Sequence, residues 1–278
     1  MSTVLAGLRL ASPVLIASGC AGTGRELAAF GPLAAYGAVS TRSISLDARA
    51  GGPAPRVVES PSGLVHATGL PNPGLDRFLA TELPWLLQED ARVLVSVVGR
   101  VVVDYAELGR RLAAAPGLSA VEVNVSSPDA VASGLLDARE PFQVGAAVGA
   151  VVRELSGAVP VLAKLRPDPV RVVECARAAV DAGARGLVIG NALPAAMPDG
   201  RDAGLSGPAV RPLALRCVTE VARAVPVDVV GAGGVATVVD ARAYLSAGAV
   251  AVQVGSALFH DPTTAARLVA ALSQEGTP

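Results

Sequence analysis

Short runs of β-branched and other apolar residues alternate along this chain with longer segments whose apolar positions recur every three or four residues. The runs predict strands at Val14 to Gly19, Ala38 to Ser45, Val93 to Gly99, Ala120 to Ser127, Val159 to Leu165, Gly186 to Asn191, Val227 to Gly231 and Ala249 to Gly255. The periodic segments predict helices at Arg25 to Ala35, Leu75 to Leu87, Val103 to Ala114, Pro141 to Leu155, Pro169 to Ala182, Val210 to Ala224, Val238 to Ala247 and Pro262 to Leu272. Strand followed by helix, eight times over, predicts an α/β fold, a (β/α)8 TIM barrel forming one domain over residues 1–278. Runs such as Val93-Leu94-Val95-Ser96-Val97-Val98 are apolar but for one small serine, as suits parallel strands covered by helices. A doubly wound open sheet is the structural rival, but no Gly-x-Gly-x-x-Gly turn follows a strand near the start of the chain.

Three segments fall outside the alternation. Thr3 to Pro13 reads as a small hairpin placed to plug the bottom of the barrel. Asp47 to Asn72, dense in Gly and Pro, reads as a long connection after the second strand, and Ala192 to Gly207, with Pro194, Pro198, Asp199 and Gly200, as another after the sixth. Connections of this length in compact domains are usually lids or binding loops.

Composition narrows the function classes. With 51% hydrophobic residues, 17% charged residues and a net charge of -1, the chain is not disordered and has no basic surface for nucleic acid or an anionic membrane. The longest uncharged stretch, Tyr244 to Phe259, is broken by Ser246, Gln253, Ser256 and glycines, whereas a spanning helix needs about 20 mostly apolar residues. The first residues carry Arg9 in a short alternating segment and do not read as a signal peptide. Cys20, Cys175 and Cys217, an odd and widely spaced set, fit a reducing cytoplasm better than a disulfide framework or a zinc site.

Among 23 basic residues Lys164 is the sole lysine, and Asn72, Asn124 and Asn191 are the sole asparagines. Biased codon usage explains any one of these, and it weakens as an explanation if all four fall at equivalent places in one architecture. Active sites of such barrels lie at the C-terminal ends of the strands. The polar residues and glycines expected there are Ser18, Gly19, Arg42, Ser43, Ser96, Asn124, Ser126, Ser127, Lys164, Asn191, Gly233, Gly234, Gly255 and Ser256. A lysine pointing into the barrel mouth needs an anionic partner to offset its desolvation. The Gly-rich turns Gly231-Ala232-Gly233-Gly234 and Gly255-Ser256, after strands seven and eight, can offer backbone N–H groups to a phosphate.

Six motifs, in order over almost the whole chain, carry a resemblance. They are Ala17-Ser18-Gly19-Cys20, Asn72-Pro73-Gly74-Leu75-Asp76, Asn124-Val125-Ser126-Ser127-Pro128, Ala163-Lys164-Leu165, Gly204-Leu205-Ser206-Gly207-Pro208 and Gly233-Gly234-Val235. Together they resemble the dihydroorotate dehydrogenase family, most closely its soluble class 1 branch, and the N-terminal helical extension of the quinone-linked class 2 branch is not recognisable. The resemblance implies an FMN-dependent oxidoreductase acting on CH–CH groups, with a small-molecule substrate. Lys164 would stand by the N1/C2 carbonyl edge of the flavin. Ser18, Gly19, Arg42, Ser43, Ser96, Asn124 and Gly207 would line the rest of the cofactor, and Gly233, Gly234, Gly255 and Ser256 would hold its phosphate. Neither nucleic acid nor membrane is implied as a partner. A homodimer or an iron-sulfur, FAD-containing electron-transfer subunit is.

Oxidising a C–C bond beside a carbonyl removes a proton from one carbon and a hydride from its neighbour, so a base must face the flavin across the substrate. The residue matching the family's base is Ser127, where class 1 typically has Cys and class 2 Ser. The residues that match the substrate shell are Arg42, His66, Thr68, Gly69, Leu70, Asn124, Asp129, Asn191 and Ala192. Four depart from the family pattern: Arg42 stands for Lys, His66 for Asn, Asp129 for Asn, and Ala192 for a hydroxyl residue. The connection from Asn191 to Gly207 is also shorter than in class 1. Cofactor positions match while several orotate-contacting positions do not, which predicts a specialised paralogue with a modified cyclic amide-like substrate. A dihydroorotate dehydrogenase of pyrimidine biosynthesis and a catalytically silent flavin-binding subunit are the alternatives. His66 is either a second acid/base or a loop residue filling the space of an asparagine. Trp85 and the tyrosines read as packing residues.

Overall fold

The structure, a computed structural model, describes residues 3–128 and 134–274. Eight parallel strands close into a barrel: Val14–Ile16, Ala38–Ser40, Val93–Val97, Ala120–Asn124, Val161–Leu165, Gly186–Ile189, Asp228–Ala232 and Ala251–Val254. Each pairs with the next in sequence, and the eighth pairs with the first, Val252 opposite Val14. This is the expected (β/α)8 barrel.

Six of the strands stop short of the expected C-terminal boundaries, because the last polar residues of those runs leave the ladder and turn into the barrel mouth, while the fifth ends at the expected Leu165 and the seventh runs one residue past Gly231. Strand two shows how. Thr41 N donates to Leu94 O and Ile44 N to Ser96 O, so three steps on this strand match two on its neighbour. The extra residue is a bulge, and it aims Ser43 inward, where its Oγ meets Ser96 Oγ at 2.9 Å.

The barrel interior is layered. At the N-terminal end Leu15, Leu94, Leu162, Val188 and Val230 fill it together with Ala38, Ala120 and Ala251. Thr3–Leu5 and Leu8–Leu10 form the expected hairpin, and its Leu5 and Leu10 join that same apolar cluster. The hairpin turn is tied down where Ala6 N donates to Asp228 Oδ2 at 2.7 Å, at the start of strand seven. The hairpin is therefore the floor plug.

Six of the outer helices lie close to their expected bounds, at Val102–Ala113, Pro141–Leu155, Val172–Asp181, Arg211–Ala224, Val238–Ser246 and Thr264–Gln274. Two depart from a plain helix for reasons proline supplies. The Arg25 to Ala35 segment splits into Arg25–Ala28 and a 3-10 turn at Leu33–Ala35, because Pro32 cannot donate and restricts Gly31 before it. Between Leu75 and Gln88 the backbone widens to a π turn at Phe78–Glu82, just before Pro84. Pro84 has no N–H for the carbonyl four residues back. A short helix at Ala257–His260, behind strand eight, was not anticipated.

The two long connections are not irregular. Val57–Ser60 and Gly63–His66 from the first, and Leu193–Ala196 and Asp202–Ser206 from the second, make one four-stranded antiparallel sheet. The connections meet where Gly204 lies opposite His66 and Ser206 opposite Leu64. Pro194 hides this strand from a reading by pattern, yet it sits on the edge strand, where a residue without an N–H is tolerated.

Leu5 is fully buried in the floor cluster. Leu5→Ala is expected to destabilise the fold by ~2–5 kcal/mol through lost burial and a residual cavity. A denaturant midpoint unchanged from the parent protein would show that the hairpin does not seal the floor.

Candidate active site

The C-terminal end of the barrel opens into a cleft floored by strand ends and roofed by the four-stranded sheet. Lys164 rises from strand five into its floor and is 5% exposed. Its Nζ donates to Gln253 Oε1 at 2.8 Å and to Glu122 Oε1 at 3.5 Å. The anion expected beside it is Glu122 of strand four, and Gln253 comes from strand eight.

A second network lies along one wall. Asn124 Nδ2 donates to Ser43 Oγ at 3.0 Å, and Ser43 Oγ is 3.5 Å from Ser18 Oγ. Asn191 Nδ2 donates to Asn124 Oδ1 at 3.1 Å and also to Ser126 O. Asn191 Oδ1 in turn accepts from Ala192 N at 3.0 Å. Two carboxamides thus stand side by side on the wall, with Ser127 and Pro128 beyond them on the loop after strand four. Tyr105 OH donates to Asn124 O at 2.9 Å and braces that strand end from outside.

The opposite end of the cleft is a glycine cradle. Gly207 has φ +104, and a Cβ there would come within 2.7 Å of Gly63 Cα. Gly234 has φ +67, and a Cβ there would come within 2.8 Å of Gly207 O and of Arg211 Cβ. Only glycine fits either place, and the backbone they expose is backed by Gly255 and Ser256 at the foot of the short helix. Tyr244 holds this cradle from behind, its OH donating to Gly233 O at 2.7 Å, and burial pushes its phenol well above the ordinary range. Arg211 Nη1 lies 2.6 Å from Asp240 Oδ1 and 3.5 Å from Gly234 O, while Asp240 caps the helix after strand seven by accepting from Thr237 N.

Of the residues expected from sequence, the cleft is lined by Ser18, Gly19, Ser43, His66, Thr68, Leu70, Asn124, Ser127, Lys164, Asn191, Ala192, Gly207, Gly233, Gly234, Gly255 and Ser256. Ser96 lies beneath Ser43 and is fully buried. Arg42 turns away, its Nη1 donating to Pro71 O at 2.6 Å, so it ties the roof connection to the strand end. Gly69 is buried in a turn against Gly52. Asp129 lies outside the described residues. Asn72 is structural: its Oδ1 accepts from Gly74 N at 3.0 Å and Ser45 N at 3.2 Å, so it staples the base of the roof connection.

The sequence reading missed Glu122, Gln253, Tyr244 and the Arg211–Asp240 pair. A charged residue in the apolar run Val121-Glu122-Val123, two positions before Asn124 and so on the same strand face, was the available signal for the first. Cys20 also lines the cleft, and burial pushes its thiol up to about 11, only partly offset by the Lys164 charge.

The glycine cradle fits a phosphate, the lysine fits a group that becomes anionic on reduction, and the amide pair fits a polar ring. Together with the barrel they define a phosphate-binding TIM-barrel enzyme of the flavin-dependent kind.

The comparisons with known proteins agree. The family model described as dihydroorotate dehydrogenase matches residues 1–275. A relative from Anoxybacillus flavithermus, named dihydroorotate dehydrogenase B (NAD(+)), catalytic subunit, is 40% identical and covers 98% of this chain and 89% of its own. The protein of the same name from Desulforudis audaxviator is 42% identical, covering 98% and 91%. The crystal structure of DHODH from Eimeria tenella in complex with ferulenol superposes with a TM-score of 0.80 over 99% of this chain and 85% of that one, at 20% identity, and so shares the fold. The chain belongs to the dihydroorotate dehydrogenase family, on its class 1 side, and is an FMN-dependent oxidoreductase acting on CH–CH groups. Among the described residues no helix is long and apolar enough to cross a membrane.

Tyr244→Phe removes one hydrogen bond from the cradle. FMN affinity is expected to fall roughly two- to tenfold, the equivalent of about 0.5–1.5 kcal/mol. Fluorescence titration of the apoprotein with FMN measures it, and an unchanged Kd would separate Tyr244 from the cradle.

Proposed function

We propose that this chain, as one FMN-binding domain over residues 1–278, moves a hydride between flavin N5 and a C–C bond next to the carbonyl of a small cyclic amide-like substrate. The observation that carries the reading is that Lys164 and Ser127, on adjacent strand ends, line one cleft together with the Asn124–Asn191 amide pair. FMN supplies the two-electron carrier when bound. Gly233, Gly234, Gly255 and Ser256 hold its phosphate, and Ser18, Gly19, Ser43, Asn124 and Gly207 flank the rest, with Ser96 and Arg42 acting through the residues they support. Lys164 holds positive charge where the reduced ring becomes anionic. Ser127 removes or returns the proton at the neighbouring carbon, which requires an acceptor for its own proton. The two carboxamides can read the N–H and C=O edges of the substrate, and Asn191, with both its amide groups already engaged on the wall, is pre-oriented for it.

The names of the relatives support dihydroorotate itself as substrate. One feature of the shell favours a modified ring. His66 and Ala192 meet across Gly204, whose Cβ would fall 2.8 Å from His66 Cε1 and 2.7 Å from the Ala192 methyl. An imidazole and a methyl group therefore close the cleft, beside Thr68 and Leu70, where the family pattern offers an amide and a hydroxyl. We favour the specialised substrate on this ground. We further infer a cytoplasmic protein that forms a homodimer and hands electrons to a partner subunit, since the relatives are named catalytic subunits.

Anaerobic mixing of the FMN-loaded protein with dihydroorotate distinguishes the substrates. Slow or absent bleaching of the flavin, with faster bleaching by another cyclic amide, is the expected result. Rapid bleaching at micromolar dihydroorotate would identify an ordinary pyrimidine enzyme with a tolerant pocket. Ser127→Ala is expected to retain FMN and to slow single-turnover reduction by about 100-fold or more, as loss of a positioned base does. Unchanged single-turnover kinetics would assign the proton to another group.

A further inference from the structure

The only lysine of the chain is not presented to the cleft as a free cation. Below it, inside the barrel, lies a polar layer built from Ser40 of strand two, Glu122 of strand four and Gln253 of strand eight, each no more than 1% exposed. Every neighbour donates to Glu122. Gln253 Nε2 donates to Oε2 at 2.6 Å, Ser40 Oγ to Oε2 at 3.3 Å, and Lys164 Nζ to Oε1 at 3.5 Å. Gln253 is oriented by both ends, since its Oε1 accepts from Lys164 Nζ at 2.8 Å while its Nε2 serves Glu122. Among the described residues the side chain of Glu122 meets three donors and no acceptor, the surroundings of a carboxylate.

A carboxylate in such a place is costly, because it is removed from water and repaid only by its partners. A barrel core of apolar residues would be easier to fold. What the carboxylate does in return is electrostatic: it stands 3.5 Å behind the ammonium, on the side away from the cleft, and cancels part of the field that the lysine projects forward. In the water-poor interior that cancellation is much larger than it would be at a surface.

We propose that Glu122 is a positioning residue that sets how strongly Lys164 stabilises the anionic reduced flavin. It holds Nζ at the cleft floor through the Gln253 relay, and it holds the flavin potential down by partly neutralising the same charge. The proposal rests on the reading that FMN lies over Lys164, and its test does not use substrate.

The experiment is spectroelectrochemical titration of the FMN-loaded protein, with sulfite affinity as a second readout because the sulfite adduct is likewise an anionic flavin. Glu122→Gln keeps an oxygen acceptor for Nζ and removes the negative charge. About tenfold tighter sulfite binding is expected, with a midpoint potential raised by about 30 mV, the two-electron equivalent of that factor. Glu122→Asp keeps the charge but withdraws it from Nζ, and falls between the parent and Gln on both readouts. A role confined to core packing would lower thermal stability in both variants without moving either readout, and that result overturns the proposal. If Glu122→Gln does not fold, Glu122→Asp decides alone: a shift in the stated direction sustains the proposal, and parent-like values overturn it. A folded protein that binds no FMN overturns the flavin reading and this proposal together, whereas FMN bound with no shift overturns only this one.

Discussion

An ammonium group buried inside a barrel has to be answered by charge and hydrogen bonds, and much of this molecule is arranged around that need. Lys164 is answered from within the barrel by Glu122 and Gln253. The polar layer they form can exist only because the end below it is sealed. Leu5 and Leu10 of the hairpin complete an apolar floor of strand residues, so that the polar layer is open on one side alone. Without the seal, water would reach the carboxylate from below and screen the interaction that fixes the lysine.

Above that layer the site is assembled from elements that have little to do with one another in sequence. Ser18 and Gly255 are adjacent in the cleft because the barrel closes strand eight onto strand one. Asn124 and Asn191, 67 residues apart, share a hydrogen bond because strands four and six lean toward the mouth from either side of the lysine strand. The roof is a sheet whose halves come from two connections more than a hundred residues apart, paired at Gly204 and His66. A change in the length of either connection thus alters the pocket directly. The Asn191 to Gly207 segment and the imidazole of His66 meet at that same seam.

The cradle after strand seven shows a different economy. Its glycines supply backbone that can approach a ligand closely, but glycine backbone is intrinsically loose. The looseness is taken out by side chains behind it. Tyr244 bonds Gly233 O, and Arg211 reaches Gly234 O while paired to the capping Asp240. Floppy backbone at the ligand and rigid side chains in the shell behind it together give a preorganised site.

The sequence by itself determined the eightfold alternation, and with it the barrel, because strand period, helix period and turn residues are local properties that one chain displays in order. It also marked Lys164, Asn124, Asn191, Ser127 and the paired glycine turns, since strand ends in this fold face one place. The tertiary structure alone decided what those residues touch. Glu122 looked like an oddity within an apolar run until barrel closure set it beneath Lys164, and Gln253 joined them from 131 positions away from Glu122. Asn72, equally rare in the sequence, proved to be a staple for a loop. The roof sheet stayed hidden because its hydrogen bonds form between distant connections, and no local pattern records a partner more than a hundred residues off. Arg42, placed at the site by position, turned to Pro71 because the bulge on strand two aims Ser43 inward and leaves its neighbour facing the roof connection. Which face a residue presents after a bulge depends on the ladder it has left, and only the folded chain contains that ladder.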